Sequence, residues 1–256
     1  MERGSANLPK PMSRQELDER QSRILKFVVE SHVLKAEPVG SQYVRVAYHL
    51  SISPATIRGA MKRLEDGGLL DHPHTSAGRI PTEAGYRYYV DRLMEPEPIS
   101  TSTRRALDRE ITSWPRTDVQ DRAVQLLARS SRQFAMLAVH SSSEAPLQRL
   151  RFGGAENIAA QPEFQTADRL RALVTLLAQP APLTRALDAF MGSDSARITI
   201  GQELGEGAMR ACSLVGTGIA SNRLRGSLGV LGPVRMPYPR LLSLVSYVGA
   251  RLAELS

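Results

Sequence analysis

The chain has 256 residues, 42% of them hydrophobic, and a formal charge of +7. That length holds one or two domains with packed cores, and the positive balance fits a polyanionic partner. A single cysteine, Cys212, excludes an intramolecular disulfide and a cysteine metal cluster, and no apolar run approaches the roughly 18–20 residues that span a bilayer.

Residues 1–16 are polar with two prolines and read as a loose arm; without a hydrophobic h-region they are no secretory signal, so a cytoplasmic protein is expected. Asp18 can cap a first helix, with Gln21 three positions on in a capping-box arrangement. Ile24, Leu25, Val28, Val29 and His32 mark its buried side, and Glu37-Pro38 stops it. Ser41 starts a second helix to about His49, with Val44 and Ala47 inward, and Leu50-Ser51-Ile52 links it to Ser53.

At Ser53 an N-cap residue is followed by proline at the first helical position, where its missing N–H costs nothing. Ile57, Ala60, Met61 and Leu64 then gather on one side at helical spacing, while Ala55, Arg58, Gly59 and Lys62 gather on the other. Arg58, Lys62 and Arg63 are basic, and no acidic residue stands between Ser53 and Leu64. Gly67-Gly68 ends the helix, since glycine accepts the left-handed cap conformation. Leu69–His72 and Arg79–Ile80 read as short strands around a polar turn that contains His74, Thr75 and Ser76. Thr82 can cap a closing helix whose Tyr86, Tyr89, Val90 and Leu93 return to the core, and Glu95-Pro96-Glu97-Pro98 reads as a stiff linker. Two helices joined by a short link, the second basic outward, then a hairpin, predict a winged helix-turn-helix domain over residues 17–94.

Past a linker at 95–102, helices are predicted over Thr103–Trp114 and Thr117–Phe134, the latter with Val119, Ala123, Leu126, Ser130 and Phe134 on one side. Strands are predicted over Leu150–Phe152, Ala196–Ile200, Cys212–Thr217 and Gly226–Leu231, with helices over Asp168–Leu177, Leu183–Phe190 and Pro239–Leu255. The fold class is therefore α+β.

The chemistry is that of double-stranded DNA. Arg58 suits a bidentate contact with a guanine edge, Lys62 and Arg63 suit phosphate, and Ser53, Ala55 and Thr56 place backbone N–H groups at a helix N-terminus. Gly59 lies between them, and His74, Thr75, Ser76 and Arg79 supply the hairpin's contacts to the backbone or minor groove. The bland alternative is a solvated basic face, but cap, turn and hairpin agree with one another. Enzyme readings lack support: Cys212 lies in an apolar run, His140 beside three serines reads as a loop, and no glycine-rich phosphate loop follows a strand. His72 and His74 have no third ligand nearby, so neither a metal nor a cofactor is expected.

The segments EPVGS (37–41), SPATIR (53–58), LEDGGLL (64–70), PHTSAGRIPTEAGYRYYVD (73–91) and GSLGVLGPVRMPYPR (226–240) resemble the bacterial heat-inducible transcription repressor family HrcA. The resemblance implies a homodimeric repressor of chaperone operons on an inverted-repeat operator (CIRCE), kept competent by the chaperonin GroEL. It also implies a GAF-like second domain, here 103–256, carrying an inserted dimerising domain. This chain jumps between Ala138, taken as the end of a family helix, and Leu150, so most of that insertion and some early strands are missing. Dimerisation is then expected through the remaining C-terminal domain. At Gly59-Ala60 the family usually has asparagine followed by an acidic residue. Two rivals stand beside the repressor: a GAF-like ligand sensor with a winged-helix output, and an interaction protein that no longer reads DNA.

Overall fold

The computed structural model describes residues 17–73, 78–115, 117–140, 149–221 and 224–255, and it is α+β. Three helices open it: α1 (Glu19–Lys35), α2 (Ser41–Ala47) and α3 (Pro54–Asp66). The capping box at α1 forms as its sequence dictates, with Asp18 Oδ1 accepting from Gln21 N at 2.7 Å and Gln21 Oε1 accepting from Asp18 N at 3.1 Å. α2 is shorter than expected: it stops at Ala47, and His49 takes a positive φ of 50° in the turn toward α3.

A two-stranded antiparallel hairpin follows, β1 (Leu70–Asp71) with β2 (Ile80–Pro81). Its polar tip, with His74, Thr75 and Ser76, lies outside the described residues. Thr82 caps α4 (Glu83–Tyr88), accepting from Gly85 N at 3.0 Å, and the chain continues in a π-helical turn over Tyr89–Leu93.

The second half contains α5 (Thr101–Thr112), α6 (Val119–Ser131), β3 (Phe134–His140), β4 (Arg149–Gly153), α7 (Ala155–Ala159), α8 (Ala167–Leu177) and α9 (Pro180–Asp188). It ends with β5 (Arg197–Ile200), β6 (Cys212–Ala220), β7 (Arg225–Pro233) and α10 (Tyr238–Leu255). The five strands form one antiparallel sheet in the order β4-β3-β7-β6-β5. Two sequence expectations fail here. Phe134 does not close a helix; α6 ends at Ser131, Arg132 turns left-handed with φ 55°, and Phe134 opens β3. Ala138 therefore lies in a strand, and His140 ends that strand with its Nε2 3.2 Å from Asp188 Oδ1 rather than standing in a loop. The run FAMLAVH misleads because both sheet faces are covered, so the strand is apolar throughout and shows no period of two. Phe134, Met136 and Ala138 face α8 and α9, whereas Ala135 and Leu137 face α6 and α10.

The α6–α10 layer shares its core with the first three helices, from Ile24 to Leu252. α4 lies against β5, an edge strand, where Arg87 donates to the Ile198 carbonyl at 3.0 Å and to Glu203 at 3.1 Å. Covering an edge in this way removes an open row of backbone groups. Tyr86 meets Tyr238 edge-on at 6.2 Å and shares a hydrogen bond of 2.7 Å with Nδ1 of His32.

Burial, and then the nearby Arg235 charge, push the His32 imidazolium down to about 4. An unfolded histidine titrates near 6.5, so between those values only the unfolded chain takes up the proton. This contribution is complete above about pH 6.5 and is lost as the pH falls toward 4. Allowing for the ring's remaining contact with water, the expected loss is about 2 kcal/mol. Urea midpoints measured from pH 7 to 4.5 check this, and His32→Gln should flatten that part of the profile.

Candidate nucleic-acid interface

The geometry of α3 follows from its first four residues. Ser53 is extended and its hydroxyl accepts from Thr56 N at 3.1 Å, satisfying one orphan donor while Pro54 removes another. Ile57, Ala60, Met61 and Leu64 are all at most 3% exposed and pack against α1 and α2. Fixing that face turns Ser53, Ala55, Arg58, Gly59, Lys62 and Arg63 outward, with Thr56 half-buried at the rim. Seven of the predicted residues are thus brought onto the start and outer side of a single helix.

Their electrostatics differ. Arg58 and Arg63 make no hydrogen bond or ion pair among the described residues, so their guanidinium groups point into solvent ready for an acceptor. Lys62 is paired within the helix, at 2.8 Å to Asp66 and 3.5 Å to Glu65. The Asp66 hydrogen bond and charge hold its ammonium above the ordinary lysine range. Such an exposed pair is weak and yields readily to a phosphate. The acidic partners stand just past Leu64, where a sign count over the helix's first three turns does not reach.

Arg79 is engaged within the protein. Its side chain is only 14% exposed and donates from Nε to Glu65 Oε2 at 2.6 Å, while its backbone bridges Val39 at 2.8 and 3.0 Å. The residue ties the hairpin to the last turn of α3 and to the strand-like approach to α2. The left-handed position after α3 falls on Gly68, with φ 73°, while Gly67 has φ −80°. Arg45 is exposed on α2, and it escaped sequence reasoning because a seven-residue helix gives little periodicity.

Gly59 occupies the middle of this outward face in ordinary helical backbone, and a Cβ there would meet only Arg63 Nη1, at 4.0 Å. No packing demand inside the protein accounts for it. Gly59→Ala is expected to raise stability by about 0.5–1 kcal/mol, measurable as a Tm increase of about 1–3 °C.

Elsewhere, a groove of about 890 Å³ opens between α8, α9 and the turns before β6, lined by Arg171, Leu176, Arg185, Leu204 and Met209 among others. Cys212 is fully buried and its thiol is pushed up to about 12 by that burial, which keeps it protonated and unreactive. Among the described residues no helix is long and apolar enough to cross a membrane.

Comparison with known proteins adds identity to this geometry. The family described as HrcA protein C terminal domain matches residues 92–242. The heat-inducible transcription repressor HrcA of Symbiobacterium thermophilum is 28% identical over 94% of this chain and 99% of the relative. That of Desulforudis audaxviator is 31% identical over 93% and 97%. These alignments run over 337 and 335 positions against 256 residues here, so each relative carries segments with no counterpart in this chain. A crystal structure described as a hypothetical protein at 2.2 Å shares the fold with a TM-score of 0.72 at 19% identity, covering 94% of this chain and 98% of that one.

Proposed function

Because this chain belongs to the HrcA family, we propose that it is a sequence-specific transcriptional repressor that binds an inverted-repeat operator of chaperone operons and releases it on heat stress. In this reading α1–α3, the β1–β2 hairpin and α4 form a winged helix-turn-helix domain. α3 enters the major groove, and the hairpin tip with His74, Thr75 and Ser76 follows the neighbouring phosphates. The observation that carries it is the outward face of α3, where Arg58 and Arg63 are unpaired among the described residues around Gly59 while the four apolar residues are buried. Arg58 reads a base edge, Lys62 and Arg63 neutralise phosphate, and Ser53, Ala55 and Thr56 offer backbone N–H groups. Arg79 contributes through the hairpin's position, since Glu65 holds its guanidinium.

The sheet and its helices act as a reduced GAF-like domain, with the family's inserted domain lost between β3 and β4. A helix-turn-helix monomer reads one half of an inverted repeat, so the active form is a homodimer joined through this C-terminal domain, with chaperonin GroEL as the partner that keeps it competent. Titration of labelled inverted-repeat and scrambled duplexes at one salt concentration tests the reading: tighter binding to the repeat supports it, and equal affinity overturns it. The groove between α8 and α9 favours a second reading, a ligand-responsive regulator with the same DNA output. A metabolite that raises Tm and changes operator affinity would support it.

A further inference from the structure

The half that carries α3 meets the sheet half through the shared apolar core and through polar contacts at its rim. Arg210 and Glu203, which reach Glu83 and Arg87 of α4, are 58% and 43% exposed, and exposed pairs contribute little. Among the described residues, two guanidinium groups reach a backbone carbonyl across the halves, Arg87 at Ile198 and the more buried Arg235. Arg235, just after β7, has a side chain 11% exposed. It donates from Nε to Glu163 Oε1 at 2.6 Å, and from Nη2 to Glu163 Oε2 at 3.3 Å and Gln161 Oε1 at 3.2 Å. Its Nη1 crosses to the other half and donates to the backbone carbonyl of Val33 at 2.7 Å.

Val33 lies in the last turn of α1, where the final carbonyls have no partner inside the helix and a cation complements the helix dipole. The guanidinium therefore joins the end of α1 to the segment between α7 and α8 through one rigid plane. A lysine, a point charge on a flexible stem, cannot serve the three acceptor groups in that geometry. α1 in turn packs along α3 through Ile24, Leu25, Val28 and Val29, so the place where α1 ends determines where α3 points.

We infer that Arg235 is a positioning residue for operator reading: by holding the end of α1 it sets the direction of α3 against the sheet domain, and so the separation of the two reading helices in a dimer. The inference rests on the proposed operator function for its consequence, though not for the clamp itself. Half-site spacing is a geometric property of the dimer, and a loosened joint accepts spacings that a fixed one rejects.

The test has two arms on the full-length chain. In the first, spin labels are placed at Val46→Cys and Val174→Cys, two exposed sites in the two halves, while buried Cys212 stays unlabelled. Labelled protein is diluted into unlabelled protein so that only distances within one chain are read. Arg235→Lys is expected to broaden the distance distribution at least about twofold, a hinge loosened between folded halves. In the second arm, unlabelled proteins are titrated with inverted repeats whose half-sites are moved by about 2 base pairs, and with a single half-site. The parent should prefer one spacing by about tenfold or more; Arg235→Lys should bring that below about threefold while single half-site affinity changes less than about twofold. An unchanged distribution in folded Arg235→Lys overturns the clamp. Should that variant fail to fold, Glu163→Gln takes its place with the same expectations. A parent that binds no repeat specifically defeats the operator reading, and the first arm then decides the clamp alone. A loosened joint with an undiminished spacing preference overturns the link to reading.

Discussion

Arg58→Ala is expected to weaken binding to the inverted repeat by about 10- to 100-fold per half-site, while binding to scrambled duplex falls only a few-fold. The magnitude follows from the bidentate pair that a guanidinium makes with a guanine edge, roughly 1–3 kcal/mol of discrimination against the wrong base. Arg58 can deliver that contact in full because it has no partner to leave among the described residues and stands one turn from Lys62 on the same outward side. Lys62→Ala makes the contrast. A phosphate contact should lower affinity for both duplexes alike and reduce the slope of log affinity against log salt by about 1. Fluorescence anisotropy across a salt series separates the two patterns. Equal loss on both duplexes for Arg58→Ala removes its reading role and leaves it a phosphate contact like its neighbour.

The inward and outward sides of α3 were legible in the sequence because their determinants are local. Asp18 with Gln21, and Ser53 with Pro54, act within four residues, and the buried set Ile57, Ala60, Met61 and Leu64 follows from one helical period. Strand β3 was not legible: a continuous apolar run looks the same in a covered strand and in a buried helix, and only pairing with β4 and β7 decides between them. Pairings across distance were hidden altogether. Nothing near Arg79 in the chain points to Glu65, and nothing near Arg235 points to Val33, 202 residues away. The consequence is structural: Glu65 holds the Arg79 guanidinium against α3, and Arg235 enters from a position that sequence patterns rank among turn and loop residues.

Gly85→Ala should be strongly damaging, costing about 3 kcal/mol, the upper part of the range for overpacking. A Cβ at Gly85 would sit 2.0 Å from the carbonyl oxygen of Leu69, and backbone cannot swing aside as a side chain can. The same carbonyl already accepts Thr82 N at 3.1 Å, and Thr82 Oγ1 donates to Gly68 O at 2.7 Å, so the cap of α4 is fastened to the turn that leads into β1. Relief of the clash has to move α4 away from the hairpin, pulling Tyr86 from His32 and Tyr238 and disturbing the cover over β5. Hairpin placement against α3 then changes, and operator affinity is expected to fall along with stability. Set against Gly59→Ala, the identical chemical change should have opposite signs at two helical glycines 26 positions apart, because one faces open space and the other a carbonyl. Urea unfolding of both variants reads the difference directly. A Gly85→Ala midpoint equal to that of the parent would show that α4 does not press on the Leu69 turn as closely as this packing requires.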